Sequence, residues 1–126
     1  MAAGVLRDDS GNVLIAQRPT GKHLAGSWEF PGGKLREGES PGEALRRELR
    51  EEIGVEVLAA ESLVRYTHEY PDRVVLLDVW RVTSFRGEPR GLEGQPLRWA
   101  PVESLLEAGL LPADLPIVDA LRWQHL

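Results

Sequence analysis

Residues 33–55 read GKLREGESPGEALRRELREEIGV, and their punctuation predicts a helix from Pro41 to Ile53. Ser40 stands at the N-cap, where a hydroxyl accepts from a free helical N–H. Pro41 follows at the first helical position, where its missing N–H costs nothing. Glu43, three residues after Ser40, completes an S-x-x-E capping box. Gly54 ends the helix, because a residue without Cβ enters the left-handed region freely. Leu45, Leu49 and Ile53 recur at helical spacing and predict an inward stripe, with Glu43, Arg46 and Arg50 on the solvated side. Glu48, Glu51 and Glu52 lie at i, i+3 and i+4, so their carboxylates share an arc of roughly 100° beside that stripe. Glu52 projects nearest the stripe and is expected to be partly buried.

Crowded carboxylates repel and drive one another's pKa upward. A divalent cation with oxygen ligands removes the conflict, Mg²⁺ being the usual choice and Mn²⁺ the alternative. Spacing alone more often marks a solvated face; the neighbouring residues change that reading. Gly33, Glu39, Arg47-Glu48-Leu49, Glu51-Glu52 and Gly54-Val55 together resemble, with no departure, the Nudix box of the Nudix hydrolase superfamily. The resemblance implies an α/β (α+β) fold in which a mixed β-sheet is sandwiched between helices, the box forming a loop-helix-loop. It implies hydrolysis of a nucleoside diphosphate linked to another group. Glu48, Glu51 and Glu52 would bind metal, with Glu48 the favoured base and Gly32 adding its carbonyl. Glu39 and Arg47 would brace the loop by a charge-assisted hydrogen bond, and Gly33 and Gly54 would shape the box.

The chain of 126 residues suffices for one domain, taken as 1–126, with a real core. Its 15 basic and 20 acidic residues give a net charge of −5, which argues against a nucleic acid polymer or an anionic membrane as partner. A small anionic substrate remains compatible, held by a few local cations and metal. Without cysteine the chain has neither disulfides nor thiolate chemistry. It shows no signal peptide and no membrane-length apolar run, so a cytoplasmic protein, monomeric or weakly dimeric, is the expectation.

Outward from the helix, Ala2–Leu6 and Val13–Gln17 read as a hairpin around the turn cluster Asp8–Asn12. The loop Thr20–Ser27 follows, then Trp28-Glu29-Phe30-Pro31-Gly32-Gly33, whose paired glycines allow a sharp turn beside a ligand. Val55–His68 is β-rich, and Pro71-Asp72-Arg73 marks a turn. Val74–Val82 is almost continuously apolar and predicts a central strand covered on both faces. A Gly/Pro-rich loop spans Arg86–Pro96, Leu97–Trp99 is a short strand, and Val102–Ala108 a helical turn. Leu110–Pro116 reads as a loop before a helix over Ile117–Trp123. Strands, helix, strands, helix suggest a mixed sheet between helices.

The resemblance extends beyond the box. Gln17-Arg18, Trp28–Lys34, Tyr70–Arg73 and Glu93-Gly94-Gln95-Pro96 are similar to the MutT branch, the 8-oxo-dGTP diphosphatases. That implies Glu93 as an acidic residue completing the metal site or assisting the base. Arg18 and Lys34 would bind phosphate, Glu29, Phe30 and Arg73 would close around the nucleoside, and His23 is a further substrate candidate. One departure stands out: where 8-oxoguanine-reading members carry Asn, this chain has Asp114. Asn donates and accepts, whereas an ionised Asp only accepts. Asp suits an edge rich in N–H groups such as the exocyclic amine of cytosine, and Pro112-Ala113-Asp114-Leu115-Pro116 also resembles CTP and 5-methylcytidine triphosphate pyrophosphohydrolases. A buried, protonated Asp114 would mimic Asn; an N-terminal cap for the last helix is the plainer role. The expected activity is Mg²⁺-dependent conversion of an oxidised dNTP, foremost 8-oxo-dGTP, to the monophosphate and pyrophosphate. The alternative is a CTP or 5-methyl-dCTP pyrophosphohydrolase. A nucleotide-binding module without turnover is disfavoured because every box carboxylate is present.

Overall fold

Helix α1 (Pro41–Ile53) forms where the capping signals put it. The Ser40 hydroxyl accepts from the Glu43 N–H at 3.2 Å, and the Glu43 carboxylate accepts from the Ser40 N–H at 3.1 Å. Gly54, at φ 71°, ends the helix. Ser40→Ala removes one arm of this box, and thermal or urea unfolding should register a loss of about 1 kcal/mol. Ala44, Leu45, Leu49 and Ile53 are buried. The helix seats closely because strand β1 (Ala2–Val5) carries Gly4 beneath it. A Cβ there would stand 3.1 Å from methyl groups of both Leu45 and Leu49.

The computed structural model describes residues 1–123. Strands β2 (Val13–Gln17), β3 (Trp28–Glu29) and β4 (Gly32–Gly33) precede α1; β5 (Glu56–Tyr70), β6 (Arg73–Arg86) and β7 (Leu97–Ala100) follow it. Two 3₁₀ turns, Val102–Glu107 and Pro112–Asp114, lead into helix α2 (Leu115–Trp123). Instead of one mixed sheet there are two: a mixed four-stranded sheet, β4-β1-β6-β5, and an antiparallel three-stranded sheet, β3-β2-β7. Val5, Val13, Ile15 and Val79 pack with Ile117, Val118 and Leu121 of α2. Ala2, Leu6, Leu14 and Val82 pack with Leu45, Leu49 and Ile53 of α1. The two cores make the chain a sandwich of sheets between helices. No helix among the described residues is long and apolar enough to cross a membrane.

Three further expectations need correction. β1 and β2 are not a paired hairpin. β4 and β6 occupy both edges of β1, so β2 joins the other sheet, and contact shrinks to an Arg7–Val13 bridge and a Leu14 N–H to Leu6 C=O bond of 3.1 Å. The turn itself forms, with the Asp8 carboxylate accepting from the N–H groups of Ser10 and Asn12 at 2.9 Å. β6 is central in its sheet but covered only in its middle: β1 pairs with Asp78–Arg81, and the earlier residues run out with β5 as a two-stranded ribbon that leaves Val74 62% exposed. Finally, the segment read as a loop before α2 holds the second 3₁₀ turn, and α2 starts at Leu115, two residues early. Pro116 is tolerated in the first turn, where no N–H partner is needed.

Candidate active site

Strand β4, the loop before β3, the end of α1 and the 90–96 loop surround a cavity of about 370 Å³. Arg18, Lys22, Glu29, Glu52, Glu93 and Gln95 are among its lining residues. Glu52 enters it from α1, and its Oε2 accepts from the Gly32 N–H at 3.3 Å. Burial, then the nearby Glu48 and Glu93 carboxylates, push Glu52 up to about 8. Gly32 pairs with Ala3 across β1, and a Cβ on it would overlap the Ala2 carbonyl. The Gly4 N–H donates to Pro31 C=O at 2.9 Å. Antiparallel ladders alternate, so the N–H and C=O of Gly32 both face away from β1, on the Glu52 side.

Arg47 organises the other carboxylates. It grips Glu39 with two bonds, Nε to Oε2 at 2.7 Å and Nη2 to Oε1 at 2.9 Å, and donates to the Lys34 carbonyl at 2.9 Å. These hydrogen bonds hold the Glu39 carboxyl down to about 2. Nη1 of Arg47 reaches Glu48 at 2.8 Å and Glu51 at 3.3 Å. Glu51, half exposed, also pairs with Arg36 at 3.4 Å. Gly33 is glycine because any Cβ there would overlap the Glu48 carboxylate. Among the described residues no group of three acidic or imidazole side chains is gathered as a ready metal cage. The donor set nevertheless fits a hard divalent cation: it consists of oxygens, and the raised Glu52 pKa marks a charge conflict that such a cation relieves.

A narrower recess of about 40 Å³ adjoins the cavity and shares Arg18, Glu29 and Gly32 with it. Phe30, Tyr70, Leu111 and Asp114 line its far side. Arg18 Nε donates to Glu29 at 3.2 Å, and burial pushes the Glu29 carboxyl up against the opposing pull of Arg18. Asp114 is only 6% exposed and accepts from the Phe30 N–H at 2.9 Å, so its carboxylate serves strand-to-loop contact. Burial raises it to about 7, although the Phe30 bond opposes the shift. The Asp114 turn is held from two sides. The Tyr66 hydroxyl donates to Ala113 C=O at 2.6 Å, and Trp28 exchanges 2.9 Å bonds with Gly109 and Leu111.

Five catalytic, metal or substrate residues named from sequence stand outside both linings, and one of them, Glu48, is held by Arg47. Glu51 turns to Arg36 and Arg47. Lys34 is exposed and contributes its carbonyl to Arg47. His23 sets its ring edge-on to Tyr70 at 6.3 Å, while its carbonyl accepts from Arg18 at 3.1 Å. Arg73, at the β5–β6 turn, lies over the Tyr70 ring at 5.0 Å and pairs with Asp72 at 3.9 Å. Conversely, Lys22, Gln95 and Tyr70 line the site without having been singled out. Gln95 and Tyr70 lie in stretches already quoted for the MutT likeness, which was their signal. Lys22 adjoins His23, and nothing in the loop's composition ranks one above the other.

The profile of the NUDIX domain family matches residues 2–120. A CTP pyrophosphohydrolase of Escherichia coli (strain K12) is 42% identical over 120 residues, spanning 95% of this chain and 87% of that protein. An 8-oxo-dGTP diphosphatase of Haemophilus influenzae is 40% identical over 121 residues, 96% of this chain and 89% of that protein. A solved MutT structure, from a study of the Aliivibrio salmonicida and Vibrio cholerae proteins, superposes with a TM-score of 0.84 at 34% identity, covering 98% of this chain and 95% of that one.

Proposed function

Since the chain belongs to the NUDIX domain family, we propose that it hydrolyses an oxidised deoxynucleoside triphosphate, foremost 8-oxo-dGTP, to the monophosphate and pyrophosphate. One observation carries this reading: an acidic, cation-flanked cavity and an apolar recess ending in Asp114 share a wall through Arg18, Glu29 and Gly32. The triphosphate occupies the cavity, where Arg18 and Lys22 offset its charge. The base enters the recess and meets Phe30 and Asp114. Glu48, Glu51, Glu52, Glu93 and the Gly32 carbonyl would hold Mg²⁺ or Mn²⁺, which would supply charge neutralisation and lower the pKa of the attacking water. Glu48, oriented by Arg47, accepts the proton of the attacking water, and Glu93 assists from the opposite rim. The partner is thus a small nucleotide.

Asp114 sets the base preference. Raised to about 7, it is largely neutral in mildly acidic solution. A neutral carboxyl donates and accepts, as Asn does. The 8-oxo form of guanine offers a carbonyl beside a ring N–H, an edge that needs both. Once ionised, Asp114 only accepts, which favours the exocyclic amine of cytosine. CTP or 5-methyl-dCTP is therefore the second reading, and Asp114 is the residue that favours it.

The test is kcat/KM for 8-oxo-dGTP, dGTP, CTP and 5-methyl-dCTP, measured in parallel at pH 6 and pH 8. We expect 8-oxo-dGTP to exceed dGTP at least about tenfold, or ~1.4 kcal/mol of discrimination. Its advantage over CTP should shrink as pH rises through about 7 and Asp114 ionises. Asp114→Asn, which cannot ionise, should keep the 8-oxo-dGTP preference at both pH values. A preference for the cytosine nucleotides at both would overturn the first reading in favour of the second. Absence of any pyrophosphate release would leave only a nucleotide-binding module.

A further inference from the structure

Glu93 sits on a turn with little room for other sequences. Gly94, at φ 81°, donates its N–H to Gly91 C=O at 3.0 Å. A Cβ on Gly91 would overlap the Gln95 carbonyl. The turn docks on the end of α1, whose last carbonyls have no partner within the helix. Arg90 N–H donates to Ile53 C=O at 2.9 Å, and Leu92 N–H to Glu52 C=O at 3.0 Å. On the far side, Gln17 N–H donates to Pro96 C=O at 3.0 Å.

Gln95 spans the middle of this arrangement. Its Nε2 donates to Glu52 C=O at 3.0 Å, and its Oε1 accepts from Glu93 N–H at 2.9 Å. One carboxamide thus grips the main chains of Glu52 and Glu93, two of the glutamates that line the cavity. Only one orientation of the amide serves a carbonyl and an N–H together, so Gln95 is held as firmly as it holds. A carboxylate in its place would lack the donor, and a thioether would lack both halves of the grip. Arg90 and Leu92 would still dock the loop, so what is lost is the aim of Glu93 and not the fold.

We infer that Gln95 is a positioning residue that fixes the Glu93 carboxylate against Glu52. The inference rests on the reading that these two carboxylates face the triphosphate, and it reaches the reaction through Glu93 alone.

The experiment compares Gln95→Met, Glu93→Gln and the double variant in the full chain. With 8-oxo-dGTP, or whichever nucleotide the four-substrate comparison favours, Gln95→Met should lower kcat by about tenfold or more while KM changes by less than about twofold. Amide hydrogen exchange without nucleotide or metal supplies the second readout. The Glu93 amide should exchange about tenfold faster, and those of Leu49 and Ile53 in α1 should keep their protection. In the Glu93→Gln background, Gln95→Met should cost less than about a further twofold. Gln95→Ala serves as a second variant should the Met side chain unfold the chain. Multiplied losses in the double variant, or an unchanged Glu93 amide, would overturn the inference. A slow Glu93→Gln beside a fully active Gln95→Met would overturn it alone. A fully active Glu93→Gln would overturn the reading of Glu93 and the inference with it.

Discussion

Glu52→Gln should cut turnover by about 10³-fold or more and yet unfold at a higher temperature than the parent at pH 8. On the proposed reading of the site, the turnover loss follows from removing a charged oxygen that would hold the metal beside the phosphates. The stability gain follows from the same carboxylate's position. Burial and the Glu48 and Glu93 charges raise it from 4.5 to about 8. Across that interval the folded chain binds more protons than the unfolded chain, so its stability falls as pH rises. The upper bound on that cost is on the order of 4 kcal/mol, from ~1.4 kcal/mol per pH unit, and partial solvation reduces it. Gln keeps an acceptor for the Gly32 N–H and carries no charge. Calorimetry without metal should show the variant about 5 °C above the parent at pH 8, and level with it below pH 4.5. Added Mg²⁺ should narrow the gap by stabilising the parent. A variant that melts lower at pH 8, or still turns over, would contradict the placement of Glu52 in the site.

Gly33→Ala should abolish most activity without abolishing the fold. Its Cβ would take the space of the Glu48 carboxylate, and Glu48 cannot swing aside without breaking its 2.8 Å bond from Arg47. The Arg47–Glu39 pair that ties the loop to α1 is left alone. We expect kcat to drop about 100-fold, the scale of a misplaced catalytic group, with far-ultraviolet circular dichroism unchanged. Gly32→Ala is the control of opposite kind. There the new methyl meets the Ala2 backbone, which has nowhere to go, so the unfolding temperature itself should fall. Equal effects of the two substitutions would refute the distinction.

Local signals made α1 legible. The capping box, the Leu45–Leu49–Ile53 stripe and Gly54 all lie within one helix whose geometry is rigid, so carboxylate spacing translates directly into position. The β1–β2 pairing was hidden because alternation reveals faces and not partners, and both edges of β1 go to strands far along the chain. Pro116 disguised the start of α2 by looking like a breaker. The likeness at Glu93-Gly94-Gln95-Pro96 pointed to a loop that lines the cavity, yet residue type alone separated neither Lys22 from His23 nor a cavity cation from the solvated Lys34 and Arg73. Asp114 could not be read as buried from its neighbours, because the donor that fixes it, Phe30 N–H, lies 84 positions away.

The turn that carries Asp114 is fastened to Trp28, Phe30 and Tyr66, whereas Glu52 and Glu93 of the larger cavity hang on α1 and its docked loop. On the proposed reading, the residue that selects the base and the helix that carries the hydrolytic carboxylates are therefore anchored on separate stretches of chain, so substitutions within residues 109–116 should change base preference while leaving the helix as it is.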